Sequence, residues 1–198
     1  YSSTSIYATK IICGDCGSYF GAKVWHSNSK YRRVIYQCNS KFKGSHFCTT
    51  PHLYEPEIQE KFLQAFAQYF SQKDAVIKNC QFALTRLKKQ ESKKAELQDE
   101  LVAVNEKLKD YIQHGGENFD ALNAKYEELS AKLDAEETAE SDRKRRIAKM
   151  QKILLMLKKT DSVLETFDES VWNAVLENLT VFHDGSLVFL FRDGTEIK

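Results

Sequence analysis

The sequence predicts an α+β fold in which a long antiparallel helical hairpin is inserted into a small β domain that a helix and a β-hairpin close. Four of the five cysteines lie in the first 48 residues, among short β-type segments. An apolar repeat with helical spacing then runs from residue 57 to residue 157. After it, aromatic and β-branched residues surround Asp-Gly turns, the usual signal for paired strands.

Composition excludes several classes of protein. Two prolines, eight glycines and 29% charged residues in 198 favour long helices over a loop-rich or disordered chain. No apolar run approaches the roughly 20 residues that cross a bilayer, and no leader is recognisable, so we expect neither a membrane protein nor an unprocessed secreted one. The chain begins at Tyr1 and not at a methionine, which predicts a fragment. An odd cysteine count without a secretory signal predicts reduced thiols and a cytoplasmic location.

Charge is unevenly distributed along the chain. Residues 1–54 carry seven Lys or Arg and one acid, a net of +6, whereas residues 161–198 carry two and eight, a net of −6. A basic N-terminal segment is a plausible electrostatic footprint for nucleic acid. A solvated basic surface is the alternative, and charge alone slightly favours it.

The first four cysteines have the spacing of a metal site. Cys13 and Cys16 form a C-x2-C knuckle, and Cys38 and Cys48 form a second pair with nine residues between them. Zinc takes four tetrahedral ligands and binds thiolates well. With four cysteines the site is coordinatively closed, so we expect one structural Zn2+ and no metal catalysis.

Other interpretations of these cysteines remain open. They could form two disulfides or be unrelated thiols. His46 could replace Cys48, and His26 or His52 could approach the site.

Between the knuckles, residues 18–25 and 31–37 read as two strands joined by a turn at 26–30. Two knuckles joined by a hairpin make a zinc β-ribbon, completing the predicted fold: a zinc ribbon with an antiparallel coiled coil inserted.

The helical repeat predicts that coiled coil. Its one clear interruption is at residues 114–117, and on both sides apolar positions recur in alternating steps of four and three. Residues facing each other across the turn have numbers that add to 230, which pairs Tyr111 with Phe119 and Lys94 with Glu136. The polar layers predict a softer mid-section and a stiff distal arm. A spacer or oligomerisation rod is the alternative role.

Residues 161–179 of the closing segment read as a helix entry and one amphipathic helix, with Asp168 as a possible cap. The apolar face of that helix would comprise Phe167, Val171, Trp172, Val175 and Leu179. A hairpin of residues 180–183 and 186–191 follows. We expect this segment to pack beside the ribbon. The predicted domains are therefore 1–56 (ribbon, first part), 57–160 (helical arm, turn near 113–118) and 161–198 (helix and hairpin completing the ribbon domain).

The order of these parts resembles the C-terminal half of large serine recombinases, the phage-type serine integrases. The resemblance rests on the Cys13–Gly17 knuckle, Cys38 and Cys48, the coiled coil, and the closing Phe189-Leu-Phe-Arg-Asp-Gly194. It implies that the whole protein is a site-specific recombinase of a phage or mobile element in a bacterial host. It also implies that the catalytic domain, with its nucleophilic serine, is absent here, and we expect no catalytic residues in this chain.

The resemblance further implies double-stranded DNA as a partner, bound at an attachment-site half-site. Other recombinase subunits would meet the coiled-coil arm, and a phage-encoded directionality factor can alter those contacts. A basic hairpin can enter a DNA groove while its Lys and Arg meet phosphates. The predicted DNA contacts are Lys23, Trp25, His26, Lys30, Tyr31, Arg32, Arg33, Lys41 and Lys43. The predicted contacts of the arm tip are Tyr111, Ile112, His114, Gly115, Gly116, Asn118 and Phe119.

A zinc-stabilised protein-interaction adaptor is the rival interpretation. It predicts a stable oligomer through the helices and no selective DNA binding. The basic bias of residues 1–54 favours the recombinase interpretation.

Overall fold

The structure, a computed structural model, describes residues 5–42, 48–115 and 118–198. The predicted site residues Lys43 and Gly116 lie outside these ranges, as does His46. The elements are, in chain order, β1 (Ile11–Cys13), β2 (Phe20–Trp25), β3 (Arg33–Cys38), β4 (Leu53–Tyr54), α1 (Glu55–Ser71), α2 (Lys73–Lys89), α3 (Lys94–His114), α4 (Phe119–Lys159), α5 (Glu169–Val175), β5 (Leu176–Val181), β6 (Leu187–Phe191) and β7 (Glu196–Ile197).

The chain divides into two compact units. The β-containing unit comprises Tyr1–Gln81 and Lys149–Lys198, and the helical unit comprises Phe82–Ala148. The predicted α+β class, with paired strands at both ends of the chain and long helices between them, is confirmed. The domain boundaries predicted from the sequence, at 56/57 and 160/161, stay a prediction.

The β-containing unit has two sheets. In one, the strand order is β1-β5-β6-β7, and β1 pairs in parallel with β5 so that Cys13 lies opposite Val181. Because β1 and β5 come from opposite ends of the sequence, this pair joins the two ends of the chain. In the other sheet β2, β3 and β4 are antiparallel, from Phe20 opposite Cys38 to Trp25 opposite Arg33.

An aromatic core lies under the four-stranded sheet. Helix α1 buries residues at helical spacing, including Phe62, Phe66 and Tyr69. The ring centroids of Phe62 and the fully buried Trp172 are 4.9 Å apart, edge to face. The indole Nε1 of Trp172 donates a hydrogen bond to the Ile6 carbonyl at 3.2 Å, which satisfies its polar group. Large apolar side chains contribute about 1.5–3 kcal/mol each when fully buried, so this cluster stabilises the β-containing unit.

The prediction for the closing segment was partly wrong. The expected helix over 161–179 is only the short α5, and residues 176–181 form the strand β5. Asp168 does cap α5, since its Oδ1 accepts from Ser170 N at 2.7 Å and from Val171 N at 3.0 Å. Leu179, expected on the helix face, is buried in the sheet opposite Ile11. A run of alternating apolar residues next to a helix allowed both interpretations, and pairing with β1 favours the strand.

In the helical unit, the predicted seam positions are less exposed than their neighbours. Val104 on α3 and Leu129 on α4 are buried. The rings of Tyr111 and Phe119 lie 5.2 Å apart, as the predicted pairing requires. Along both helices, nearly all seam positions are buried or half-buried and most residues between them are exposed, which is the pattern of an antiparallel coiled coil.

The expectation of a single helix interruption was wrong. α1 ends at Ser71 just before α2 begins, and residues 90–93 separate α2 from α3. At the second break, Ser92 Oγ and Lys93 N donate to Glu136 Oε1 at 3.3 and 3.4 Å. A carboxylate thus binds a backbone amide that a continuous helix would pair internally. Lys94, expected opposite Glu136, forms its ion pair with Glu137 at 2.8 Å.

Among the residues that the structure describes, no helix combines the length and the apolar character needed to cross a lipid bilayer.

Candidate metal centre and nucleic-acid interface

The first knuckle is a tight turn at the end of β1. Cys13 N donates to Ser18 O at 2.9 Å, and Gly17 N donates to Cys13 O at 2.9 Å. Gly17 has φ +71°, a left-handed conformation that glycine adopts without steric cost. The turn brings Cys13 and Cys16 to the same side of the strand end.

The second knuckle begins where β3 ends. Ser40 N donates to Cys38 Sγ at 3.4 Å, and Lys41 N donates to Cys38 O at 3.1 Å. Because Cys38 lies opposite Phe20 in the β2–β3 register, the hairpin brings the second knuckle beside the first. Cys48 completes the cluster.

The four sulfur atoms form one cluster. All four Sγ atoms lie within 4.8 Å of one another, with Cys13 to Cys48 and Cys16 to Cys38 each at 3.4 Å. A tetrahedral site with Zn–S bonds of about 2.3 Å has sulfurs about 3.8 Å apart, so these residues fit zinc. Among the described residues no histidine joins the cluster. His52 lies instead against Trp25, with ring centroids 4.7 Å apart.

The thiols differ in acidity. Burial raises the pKa of Cys13 and Cys38 above the ordinary value. Burial also acts to raise the pKa of Cys16, but hydrogen bonds from Ser18, Cys38 and Cys13 outweigh it and lower this pKa to about 6. A bound metal ion would therefore have to displace a proton from each of these two buried thiols.

Thr50 and Asp15 support the cluster, and sequence reasoning missed both. Thr50 is fully buried, and its Oγ1 lies 2.9 Å from Cys13 Sγ and 3.0 Å from Cys48 Sγ. The same hydroxyl donates to Asp15 Oδ2 at 3.1 Å. Hydrogen-bonded groups behind metal ligands fix the orientation of those ligands. A lone threonine two residues after Cys48 carries no spacing signal that predicts this role.

Lys41 and Gly14 also contact this region in ways that the sequence did not predict. Lys41 Nζ donates to the Thr50 carbonyl at 2.9 Å, so this predicted DNA contact is engaged at the metal end of the ribbon. Gly14 N donates to Val181 O at 2.8 Å, and a Cβ on Gly14 would lie 2.5 Å from the Phe182 ring. Gly14 thus permits the knuckle to approach the β5–β6 hairpin closely.

The β2–β3 hairpin carries the other described DNA-contact candidates. Lys23 and Trp25 lie on β2 and Arg33 lies on β3, directly opposite Trp25. Their connecting turn is closed by hydrogen bonds from Ser29 N to His26 O and from Arg32 N to Ser29 O. The candidates in that turn are all exposed: His26, Lys30, Tyr31 and Arg32.

Tyr54 on β4 and His52 just before it extend this surface. The Trp25 ring contacts His52, whose Nε2 lies 3.1 Å from Tyr54 Oη. Arg33 lies over the Tyr54 ring, and its Nη1 donates to Tyr54 Oη at 3.4 Å. We call Trp25, Arg33, His52 and Tyr54 the ribbon face. His52 and Tyr54 were missed because β4 is only two residues long and has no recognisable strand pattern.

The tip of the helical unit exposes apolar side chains. Ile112 is 74% exposed and Phe119 is 40% exposed. Gly115 ends α3 with φ +72°, and Asn118 has φ +80° just before α4. His114 Nδ1 lies 2.9 Å from Asp110 Oδ1.

Paired cysteine knuckles joined by an antiparallel hairpin, with four sulfurs at tetrahedral spacing, place the N-terminal segment in the zinc-ribbon class of metal-binding β domains. The comparisons with known proteins narrow this class. Residues 6–67 match the family model described as the recombinase zinc beta ribbon domain. The resemblance to recombinases predicted from the sequence is confirmed over this segment.

Among solved structures, the chain is similar to one from a structure described as "Crystal Structure of a LSR-DNA Complex". The two share 17% sequence identity with a TM-score of 0.42, and the match covers 96% of this chain and 57% of that chain. The present chain therefore spans less than two thirds of that protein's length. No curated protein matches the sequence.

Proposed function

We propose that this chain is the DNA-recognition region of a large serine recombinase, and that its zinc ribbon binds an attachment-site half-site. The match of residues 6–67 to the recombinase zinc ribbon carries the proposal. The proposed DNA contacts are the β2–β3 hairpin and the ribbon face.

The charge of the hairpin supports DNA as the partner. Residues 20–38 contain Lys23, Lys30, Arg32 and Arg33 and no acidic residue. With the residues that the structure describes, none of these four cations forms an ion pair. Lysine and arginine side chains without carboxylate partners are free to neutralise phosphates, which is the main source of affinity for DNA.

The shape of the hairpin supports groove binding. A two-stranded ribbon fits the major groove, which is about 12 Å wide. Tyr54 holds the Arg33 guanidinium through its hydroxyl and ring, so little side-chain entropy is lost when Arg33 binds. We assign Arg33 to a base edge or to the phosphate next to it, and the turn residues Lys30 and Arg32 to phosphates.

Zinc has a structural role in this proposal. Cys13, Cys16, Cys38 and Cys48 would hold one Zn2+, which supplies the cross-link between the two knuckles. The ends of β2 and β3 then stay together, and the ribbon face keeps its arrangement. The chain itself is proposed to bind DNA without cutting it, inside a bacterial cell.

We assign the arm tip to contacts with other recombinase subunits, with a directionality factor as a further partner. Exposed Ile112 and Phe119 at the turn of a long hairpin support this assignment, because exposed apolar clusters are typical of protein contacts. Ile112→Ser should leave DNA affinity unchanged and weaken association between DNA-bound chains, measured by sedimentation. Val102→Ser, which also replaces an exposed β-branched apolar residue of α3 with serine, is the control.

Selection of bound sequences from a randomised duplex library tests the DNA proposal. The zinc-loaded chain should recover one consensus, and chelation should abolish the selection. Arg33→Ala should weaken binding to that consensus by about 1–3 kcal/mol, whereas Arg145→Ala on the helical unit should not. Sequence-blind binding, or a stable oligomer without DNA binding, would contradict the proposal and favour the adaptor interpretation.

A further inference from the structure

A second group of cations gathers in the β-containing unit, away from the hairpin in sequence. Lys10 comes directly before β1, Lys149 and Lys152 lie on α4, and Arg192 follows β6. Lys10, Lys149 and Arg192 lie near Glu177 on β5, and Lys152 lies near Lys10. We call these five residues the Lys10 cluster.

Hydrogen bonds hold two of the cations close together. Lys10 Nζ donates to the Leu176 carbonyl at 2.7 Å, and Arg192 Nε donates to the same oxygen at 3.2 Å. Arg192 N also donates to Val175 O at 2.8 Å, which fixes its backbone. The two positive charges therefore share one neutral acceptor.

The single carboxylate is shared as well. Glu177 Oε1 lies 2.5 Å from Lys149 Nζ, and Glu177 Oε2 lies 3.8 Å from Arg192 Nε. Although burial acts to raise the pKa of Glu177, Lys149, Arg192 and Lys10 lower it below the ordinary value. Glu177 is thus ionised, and the four cations and one carboxylate leave a formal excess of three positive charges.

This excess of positive charge costs free energy, because like charges repel and the Lys10 side chain is half-buried. Burial lowers the pKa of Lys10 to about 8, and the charges of Arg192, Lys152 and Lys149 act in the same direction. The Arg192 and Lys149 side chains are only 21% and 30% exposed, so water screens their repulsion incompletely. A purely structural cross-link needs only one cation for Glu177. Charges held together against their mutual repulsion are typical of a site that binds the opposite charge.

We propose that the Lys10 cluster binds a phosphate of the duplex DNA backbone, as a second contact separate from the hairpin. The partner rests on the DNA-binding function proposed above. A phosphodiester offers two unesterified oxygens, which suit a guanidinium and neighbouring ammonium groups. It would supply the negative charge that Glu177 provides only in part.

The test uses the intact 198-residue chain, zinc-loaded, with the selected duplex. The double variant Lys149→Gln/Lys152→Gln should raise Kd about 10-fold at 0.1 M salt, with a salt slope smaller by about one per lost phosphate contact. Lys152→Gln alone, at an exposed position, should show the same trend with an unchanged melting temperature. Lys78→Gln, which removes a charge from the exposed face of α2, is the matched control. Glu177→Gln should tighten DNA binding.

The outcomes separate the two proposals. If Arg33→Ala weakens binding while Lys149→Gln/Lys152→Gln and Glu177→Gln leave Kd and the salt slope unchanged, the cluster is a structural cross-link and this inference is overturned alone. If inorganic phosphate raises the melting temperature through these residues and DNA affinity does not depend on them, the site takes free phosphate, and the inference is again overturned. If the chain binds no DNA, both proposals fall.

Discussion

The two sheets of the β-containing unit are stabilised by different means. The four-stranded sheet packs Leu176, Leu179 and Phe189 into a core shared with Trp172 and other buried side chains. The three-stranded sheet leaves much of β2 exposed and ends in the cysteine cluster. Phe20, Tyr36 and Leu53 of the three-stranded sheet join that same core, so the two sheets differ in the exposure of β2 and in the cysteine cross-link. The ribbon face, proposed above to bind DNA, must stay exposed, so its side chains cannot also supply a core.

Removing the metal should produce the largest difference between the two sheets. Structural zinc sites contribute on the order of 10 kcal/mol to folding, so chelation should disorder the ribbon while the Trp172 core persists. The chain has two tryptophans, Trp25 on the ribbon face and Trp172 in the core. Fluorescence of Trp25→Phe reports Trp172 alone, and the difference from the unaltered chain reports Trp25.

Chelation should change the Trp25 signal and leave the Trp172 emission blue-shifted. Cys16→Ser should reproduce the change without chelator, and Cys80→Ser, at a buried cysteine outside the cluster, is the control. Loss of both signals together would show that the core depends on the metal too.

A cavity in the core should have the opposite effect to metal removal: it should destabilise the core and leave zinc binding intact. Phe62→Ala removes a fully buried ring that contacts Trp172 and should cost about 3–5 kcal/mol of unfolding free energy. Denaturant unfolding measures this loss, and zinc stoichiometry should remain one per folded chain. Phe82→Ala, at an exposed phenylalanine of the helical unit, should have little effect. Lost zinc binding at temperatures where the variant is folded would contradict the separation of the two sheets.

The link between the sheets should be sensitive to a single methyl group. In Gly14→Ala the new Cβ would meet the Phe182 ring, so we expect a cost of about 1–3 kcal/mol and weaker zinc binding. In the double variant Gly14→Ala/Phe182→Ala this cost should be relieved. Zinc affinity, measured by competition with a chromophoric chelator, should then recover. Additive losses in the double variant would mean that the strain lies elsewhere.

Loss of the α5 cap should have the smallest effect. Asp168→Ala leaves Ser170 N and Val171 N without their acceptor and should cost about 1 kcal/mol, measured by thermal unfolding. Asp168→Asn retains an acceptor and should recover most of the stability. An equal loss in both variants would point to the charge of Asp168 and not to its hydrogen bonds.

The sequence predicts the parts of this protein that depend on local spacing. The cysteine knuckles, the β2–β3 hairpin, the Asp168 cap and the pairing of Tyr111 with Phe119 all follow from residues at fixed intervals. The pairing of β1 with β5 joins residues far apart in the chain, and three- or two-residue strands carry no periodic pattern. His52 and Tyr54 of the ribbon face and the Lys10 cluster were missed for the same reason, since the ribbon face and the cluster each combine residues from separate segments.

The break at residues 90–93 bears on how the length of the helical hairpin can change in evolution. An insertion inside α3 would rotate every later seam residue by about 100° and expose the apolar stripe. An insertion at 90–93 falls outside regular helix. The apolar seams of α2 and α3 keep their own periodicity however many residues separate the two helices. With Glu136 anchoring Ser92 and Lys93, extra residues can bulge outward without altering the helices on either side. Related chains should therefore vary in length at this point.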